Sequence, residues 1–172
     1  MAGRTFLEEN GIYQIDFTAA LCSTNQIQAE YHSAGLFLSD VDFVASTEEY
    51  VFLVEYKNAS VSGATNPAAF RPHEEKRVDS VARKFYDSLH FLTVNGNRKP
   101  VKYVYIVEYP NADASTRKML REKIAKKLPF EMQKGKVYSL IEDFDVVSIA
   151  EWNEDAEYSQ FPLTPVSHGG VL

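Results

Sequence analysis

The chain has 172 residues, 45% of them hydrophobic and 13% aromatic, and a formal net charge of −6 at pH 7. That length and composition predict one soluble globular domain with room for a sizeable core, over residues 1–158, followed by a loose tail from Ser159 to Leu172 that is rich in Pro and Gly. A single cysteine, Cys22, excludes an internal disulfide and a cysteine-rich zinc site, and its apolar neighbours predict a buried thiol without a chemical role.

No apolar run is long enough to cross a bilayer, and the first ten residues lack the apolar centre of a signal peptide, so the expectation is a cytoplasmic protein with no membrane partner. Net acidity argues against a nucleic-acid partner, because Lys and Arg supply most non-specific affinity for phosphate. The charge is segregated, however. Residues 71–136 carry +8, whereas residues 1–70 and 137–172 carry −7 each. A basic binding surface and a set of solvated helix faces both fit that distribution.

In chain order, a helix is predicted within Ile15–Ser23, and Gln26–His32 alternates polar and apolar residues as a half-buried strand does. Ser33-Ala34-Gly35 turns the chain into Leu36–Ala45, and four polar residues, Ser46–Glu49, connect this to Tyr50–Lys57. The three segments make a meander. Side chains alternate along a strand, so Val51, Leu53, Glu55 and Lys57 share one face, as do Asp40, Asp42 and Val44 on the strand before. A loop of Ser46–Glu49 sets Ala45 against Tyr50, Asp42 against Leu53 and Asp40 against Glu55. Three carboxylates crowded together raise one another's pKa unless a cation offsets them, either Lys57 or a bound metal. Hard oxygen ligands of this type suit magnesium or manganese. The alternative is a surface ion pair of Glu55 with Lys57 and solvated aspartates.

Asp42-Phe43-Val44, followed thirteen positions after Asp42 by Glu55-Tyr56-Lys57, resembles the PD-(D/E)xK nuclease superfamily, with Val41 standing where the family's name has proline. The resemblance implies a restriction-endonuclease-like α/β core: a mixed central sheet, made of a three-stranded meander plus a parallel crossover strand, flanked by helices. It further implies metal-dependent hydrolysis of phosphodiester bonds, with DNA as the expected substrate and Mg2+ or Mn2+ as cofactor. Asp42, Glu55 and the main-chain carbonyl of Tyr56 would be ligands, Lys57 would position or help deprotonate the attacking water, and Asp40 and Glu30 would be further acidic candidates. His32 reads as a hydrogen-bonded strand-end residue. A catalytically silent relative, acting as a nucleic-acid-binding or protein-interaction module, is the competing expectation. A homodimer is compatible with the sequence.

Beyond the hairpin, Asn58–His73 is rich in Ala, Ser, Asn, Gly and Pro and reads as a mobile surface loop beside the candidate site. Val78, Val81, Ala82, Phe85, Leu89 and Leu92 recur at three and four, the clearest helical stripe in the chain, ending near Asn95-Gly96-Asn97. Lys76, Arg77 and Lys84 line its margins and are the candidate phosphate contacts, with local salt bridges as the plainer role. Lys102–Tyr109 reads as a strand buried on both faces, reached by a parallel crossover. A helix over Ser115–Leu128 follows, with Leu120, Ile124 and Leu128 inward and Arg117, Lys118, Arg121, Lys123, Lys126 and Lys127 outward, ended by Pro129. Lys136–Ile141 is predicted to be a strand, and Ser148 with Glu151 has capping-box spacing for a short helix carrying Trp152.

Overall fold

The computed structural model describes residues 4–61 and 66–166. A mixed five-stranded sheet forms the centre, in the order β3 (Cys22–Thr24), β4 (Phe43–Ser46), β5 (Val51–Asn58), β6 (Val101–Glu108) and β7 (Asp143–Val147). β3, β4 and β5 pair antiparallel; β5–β6 and β6–β7 pair parallel. Helices α1 (Ile27–Ser33), α2 (Glu75–Val94) and α3 (Ala114–Ala125) cover one face. The other face carries α4 (Ile149–Glu154) and a three-stranded antiparallel sheet of β1 (Thr5–Leu7), β2 (Tyr13–Asp16) and β8 (Leu163–Pro165). The result is an α/β protein in three layers.

The alternation of β5 divides the core in two. Val51 and Leu53 pack with Val78, Phe85 and Tyr103 under the helices, while Phe52, Val54 and Tyr56 pack with Phe17, Trp152 and Phe161 under the small sheet. A central strand apolar on both faces belongs in the middle of a parallel pairing, and β6 has the same character. The expected helical stripe is α2, with Val78, Val81, Ala82, Phe85 and Leu92 buried, and α3 turns Leu120 and Ile124 inward as its spacing predicts. Ser148 and Glu151 form the capping box expected of α4.

Several expectations are corrected. Gln26–His32 is not a strand: Ile27–Ser33 is α1, burying Ile27 and Tyr31 four residues apart, because at seven residues the two periodicities overlap and packing against α2 decides. Ile15–Ser23 is not a helix, and its two ends belong to strands β2 and β3. The first strand of the antiparallel set is therefore Cys22–Thr24, with α1 inserted before β4. Cys22 lies exposed on this edge strand. Lys136–Ile141 forms no strand; Val137 and Tyr138 are exposed, and pairing begins at Asp143. Residues 159–166 are not a loose tail, since Phe161 and Leu163 are buried and β8 pairs with β2. The remainder of the predicted tail lies outside the described residues, as does the middle of the Asn58–His73 segment, whose later part holds a 3-10 turn at Pro67–Ala69.

Candidate functional site

Register brings the acidic residues together, in a different pairing from the expected one. The hairpin loop begins one residue later than expected, so Ala45 faces Phe52 and Phe43 faces Val54, a shift of two residues that preserves which face each side chain takes. Continued by one residue, this register sets Asp42 beside Glu55. The Tyr56 N–H, where β4 pairing has run out, donates to Asp42 Oδ2 at 2.7 Å. In an extended strand a residue's N–H and carbonyl point to the same side, so the Tyr56 carbonyl belongs to the side of β5 on which Asp42 lies.

Glu55 is buried, and Lys84 reaches down from α2 to donate to both of its carboxylate oxygens, at 2.8 and 2.9 Å. Asp40 completes the group. It lies in the segment entering β4, which α2 pins through Ser39 N to Asp87 Oδ2 and Val41 N to Ser88 Oγ. Burial and the neighbouring Asp42 charge push the Glu55 carboxyl up to about 8, against the opposing pull of Lys84. Burial also raises Asp42 and Asp40, again against Lys84. Burial disfavours the Lys84 charge, yet the surrounding carboxylates hold its pKa above the ordinary lysine value. One ammonium thus answers three carboxylates in a largely dry place, leaving an excess of negative charge.

Lys57 is elsewhere. Its ammonium pairs with Glu9 Oε1 at 2.6 Å at the half-exposed end of β5. Glu9 rides on the β1–β2 hairpin, whose tip is fixed by the buried Glu8 carboxylate accepting from the backbone N–H groups of Asn10, Ile12 and Tyr13. Glu30 lies on α1, exposed, and lines a cavity at the hairpin end of the sheet with Cys22 and Val51. His32, also on α1, is exposed and near Asp40. Lys76 and Arg77 sit exposed in the first turn of α2, with the Arg77 guanidinium 5.9 Å from the centroid of the Phe70 ring.

Lys84, expected at the helix margin as a phosphate contact, is instead the ammonium of the acidic centre. The signal was present: Val81, Lys84 and Ser88 recur at three and four within an otherwise apolar stripe, so both polar residues face the sheet. Among the described residues no three His, Cys, Asp or Glu side chains stand close enough together to hold a metal by themselves. Asp42, Glu55 and the Tyr56 carbonyl are nevertheless a hard-oxygen donor set, and the Glu55 carboxylate already accepts a cation, the Lys84 ammonium, on both of its oxygens. A magnesium ion is satisfied by one or two carboxylates with water in its remaining positions, so the residues fit the group.

The outward face of α3 is largely spoken for. Arg117 is buried and forms a two-pronged pair with Glu151 at 2.6 and 2.7 Å, Arg121 reaches Asp143 and Asp145, and Lys123 and Lys127 meet at Glu75. No helix among the described residues is long and apolar enough to cross a membrane. No protein family, curated protein or solved structure matches the chain.

Proposed function

We propose that this protein is a divalent-cation-dependent nuclease with a restriction-endonuclease-like, PD-(D/E)xK core, hydrolysing phosphodiester bonds in DNA. The observation that carries the reading is the placement of Asp42, just before β4, beside Glu55 of β5, with Asp42 accepting from the Tyr56 N–H and more negative charge than Lys84 offsets. Perturbed carboxylates gathered at the end of a buried strand are what a cation-binding catalytic centre requires.

Asp42, Glu55 and the Tyr56 carbonyl would hold Mg2+ or Mn2+, which when bound polarises a phosphoryl oxygen and lowers the pKa of a coordinated water. Lys84, freed from Glu55, would donate to a non-bridging phosphate oxygen and offset charge that builds there. Lys57, at the strand end, would orient the attacking water after leaving Glu9. Asp40 would act from the outer shell, holding Lys84 near the phosphate.

A second reading, a catalytically silent relative that binds nucleic acid or protein, is favoured by the two ion pairs themselves, since Lys84 occupies both Glu55 oxygens and Lys57 is engaged by Glu9. Cleavage of single-stranded, duplex and branched DNA in Mg2+ or Mn2+ separates the two. The nuclease reading expects products that vanish with chelator and in Asp42→Asn and Glu55→Gln, by more than the ~10–100-fold that outer-shell changes cost. Intact substrates under every condition would leave the silent reading standing.

A further inference from the structure

We propose that the cavity between the start of α2 and the end of β6 binds an unpaired nucleobase of a nucleic-acid strand, stacked against Phe70 and Tyr109. This deepens the nuclease reading by naming the form of its substrate. The cavity is open, about 580 Å³ in volume, and its walls include Phe70, Arg71, Pro72, His73, Tyr109 and Asn111. Phe70 and Tyr109 stand 6.1 Å apart at 61°, and His73 meets Tyr109 at 6.4 Å and 78°. Such edge-to-face contacts hold the rings without covering both faces of either one, and a flat base can stack on what is left. Pro67, Pro72 and Pro110 preset the backbone that carries the rings.

Position links the cavity to the acidic centre. Tyr105 lies directly across from Glu55 in the β5–β6 register, and Tyr109 follows four residues later on the same face. That is about 13 Å along the strand direction. Both lie toward the carboxyl ends of the parallel strands, where sheets of this kind take their ligands. Arg77, one turn into α2, is close enough to Phe70 to stack over it and near enough to Tyr105 to feel the Glu55 side of the sheet, so a strand seated at Tyr109 would pass a guanidinium on its way to Asp42 and Glu55. Asn111 and Glu74 offer polar atoms to the edges of a base, and Arg71 in the cavity wall and Arg77 beside Phe70 place positive charge where the phosphates flanking a stacked base would run. A stacked base is recognised by its π-face, so the ligand class is single-stranded or locally unpaired nucleic acid of relaxed sequence.

The test is fluorescence anisotropy of the full chain, in chelator so that no cleavage intervenes, with a labelled single-stranded DNA, the same strand carrying abasic nucleotides, and the matching duplex. The intact strand is expected to bind about tenfold or more tightly than either of the others. Phe70→Leu and Tyr109→Leu, which keep apolar bulk, are expected to lose about tenfold against the intact strand and nothing against the abasic one. Equal affinity for intact and abasic strands, or no binding, overturns the proposal. So do Leu variants that melt as the wild type does and bind the intact strand equally well. If a variant melts early, the abasic comparison on the wild type decides. Base-dependent binding without any cleavage would fail the nuclease reading alone, whereas cleavage without base dependence would fail this inference alone.

Discussion

The outer face of α3 and the end of β5 both gather charge, but α3 distributes its bases among surface carboxylates, while at the end of β5 the buried Glu55 and the half-buried Asp42 and Asp40 gather around one lysine. Along α3, Arg117 and Arg121 have carboxylate partners and Lys123 shares Glu75 with Lys127 just past the helix end, and the most buried of them, Arg117, has the best geometry. At β5 the count does not close. Glu55, Asp42 and Asp40 are all pushed toward protonation because burial weakens their solvation and Lys84 can answer only part of their charge. A run of like charge in a sequence therefore says little about function, whereas an imbalance that the fold has taken out of water costs stability and needs a reason.

Replacing Lys84 by Met breaks the comparison hardest. It strips the acidic centre of its ammonium, and the expected loss is about 2–4 kcal/mol of folding stability in chelator at neutral pH, read from denaturant unfolding. The same variant should bind Mn2+ more tightly than the wild type, since the cation no longer competes with an internal one; weaker binding would assign Lys84 to holding the ligands in place instead.

The second effect is pH dependence. Glu55 is held near 8, above its unfolded value, so the folded state keeps a proton that the unfolded chain has already released. Stability from this group is full below about pH 4.5 and is lost as pH rises through about 8, a fall on the order of 1–3 kcal/mol. Raised Asp42 and Asp40 act in the same direction, and Lys84, with its pKa raised, keeps its contribution across the window. Melting temperature against pH should fall through this range in the wild type and be flatter in Glu55→Gln. A wild-type profile that rises with pH would mean that Glu55 is ionised at ordinary carboxylate pH.

On the other side of the comparison, Arg117→Met should cost about 1–3 kcal/mol by leaving Glu151 without its two-pronged donor, with no change in affinity for nucleic acid. A fall in that affinity at unchanged stability would mean that the α3 flank binds. Smallest of all is Lys57→Ala, which removes a half-exposed pair with Glu9 and is expected to shift stability by less than about 1 kcal/mol. If it abolishes cleavage while leaving the fold untouched, Lys57 is part of the chemistry and its pairing with Glu9 must open during the reaction.

Much of the frame was legible in the sequence because its signals are long and local. β6 announces itself by a run of β-branched and aromatic residues, α2 by six apolar positions at helical spacing, and α4 by a capping box. That Asp42 and Glu55 share a face was legible as well, because a loop displaced by one residue shifts the register by two and leaves parity untouched; that Asp42 rather than Asp40 stands beside Glu55 was not. What failed was short or decided at a distance. Seven residues at Ile27–Ser33 fit two periodicities, and the choice rests on α2 across the core. Lys136–Ile141 has strand composition but no neighbour to pair with, and Leu163–Pro165 is a strand only because β2 offers an edge. Helical spacing sets Lys84 at the margin of the apolar stripe, and the buried carboxylate that draws its ammonium inward is a neighbour no local pattern displays.

The nuclease reading requires that the Asp42–Glu55 pair bind a divalent cation. Isothermal titration of Mn2+ into the wild type, Asp42→Asn and Glu55→Gln at about pH 8, where Glu55 is partly ionised, tests it most directly. One site is expected in the wild type, weakened as pH falls below 8 and lost in both variants. Absence of binding to the wild type, or a site that survives both substitutions, would contradict it.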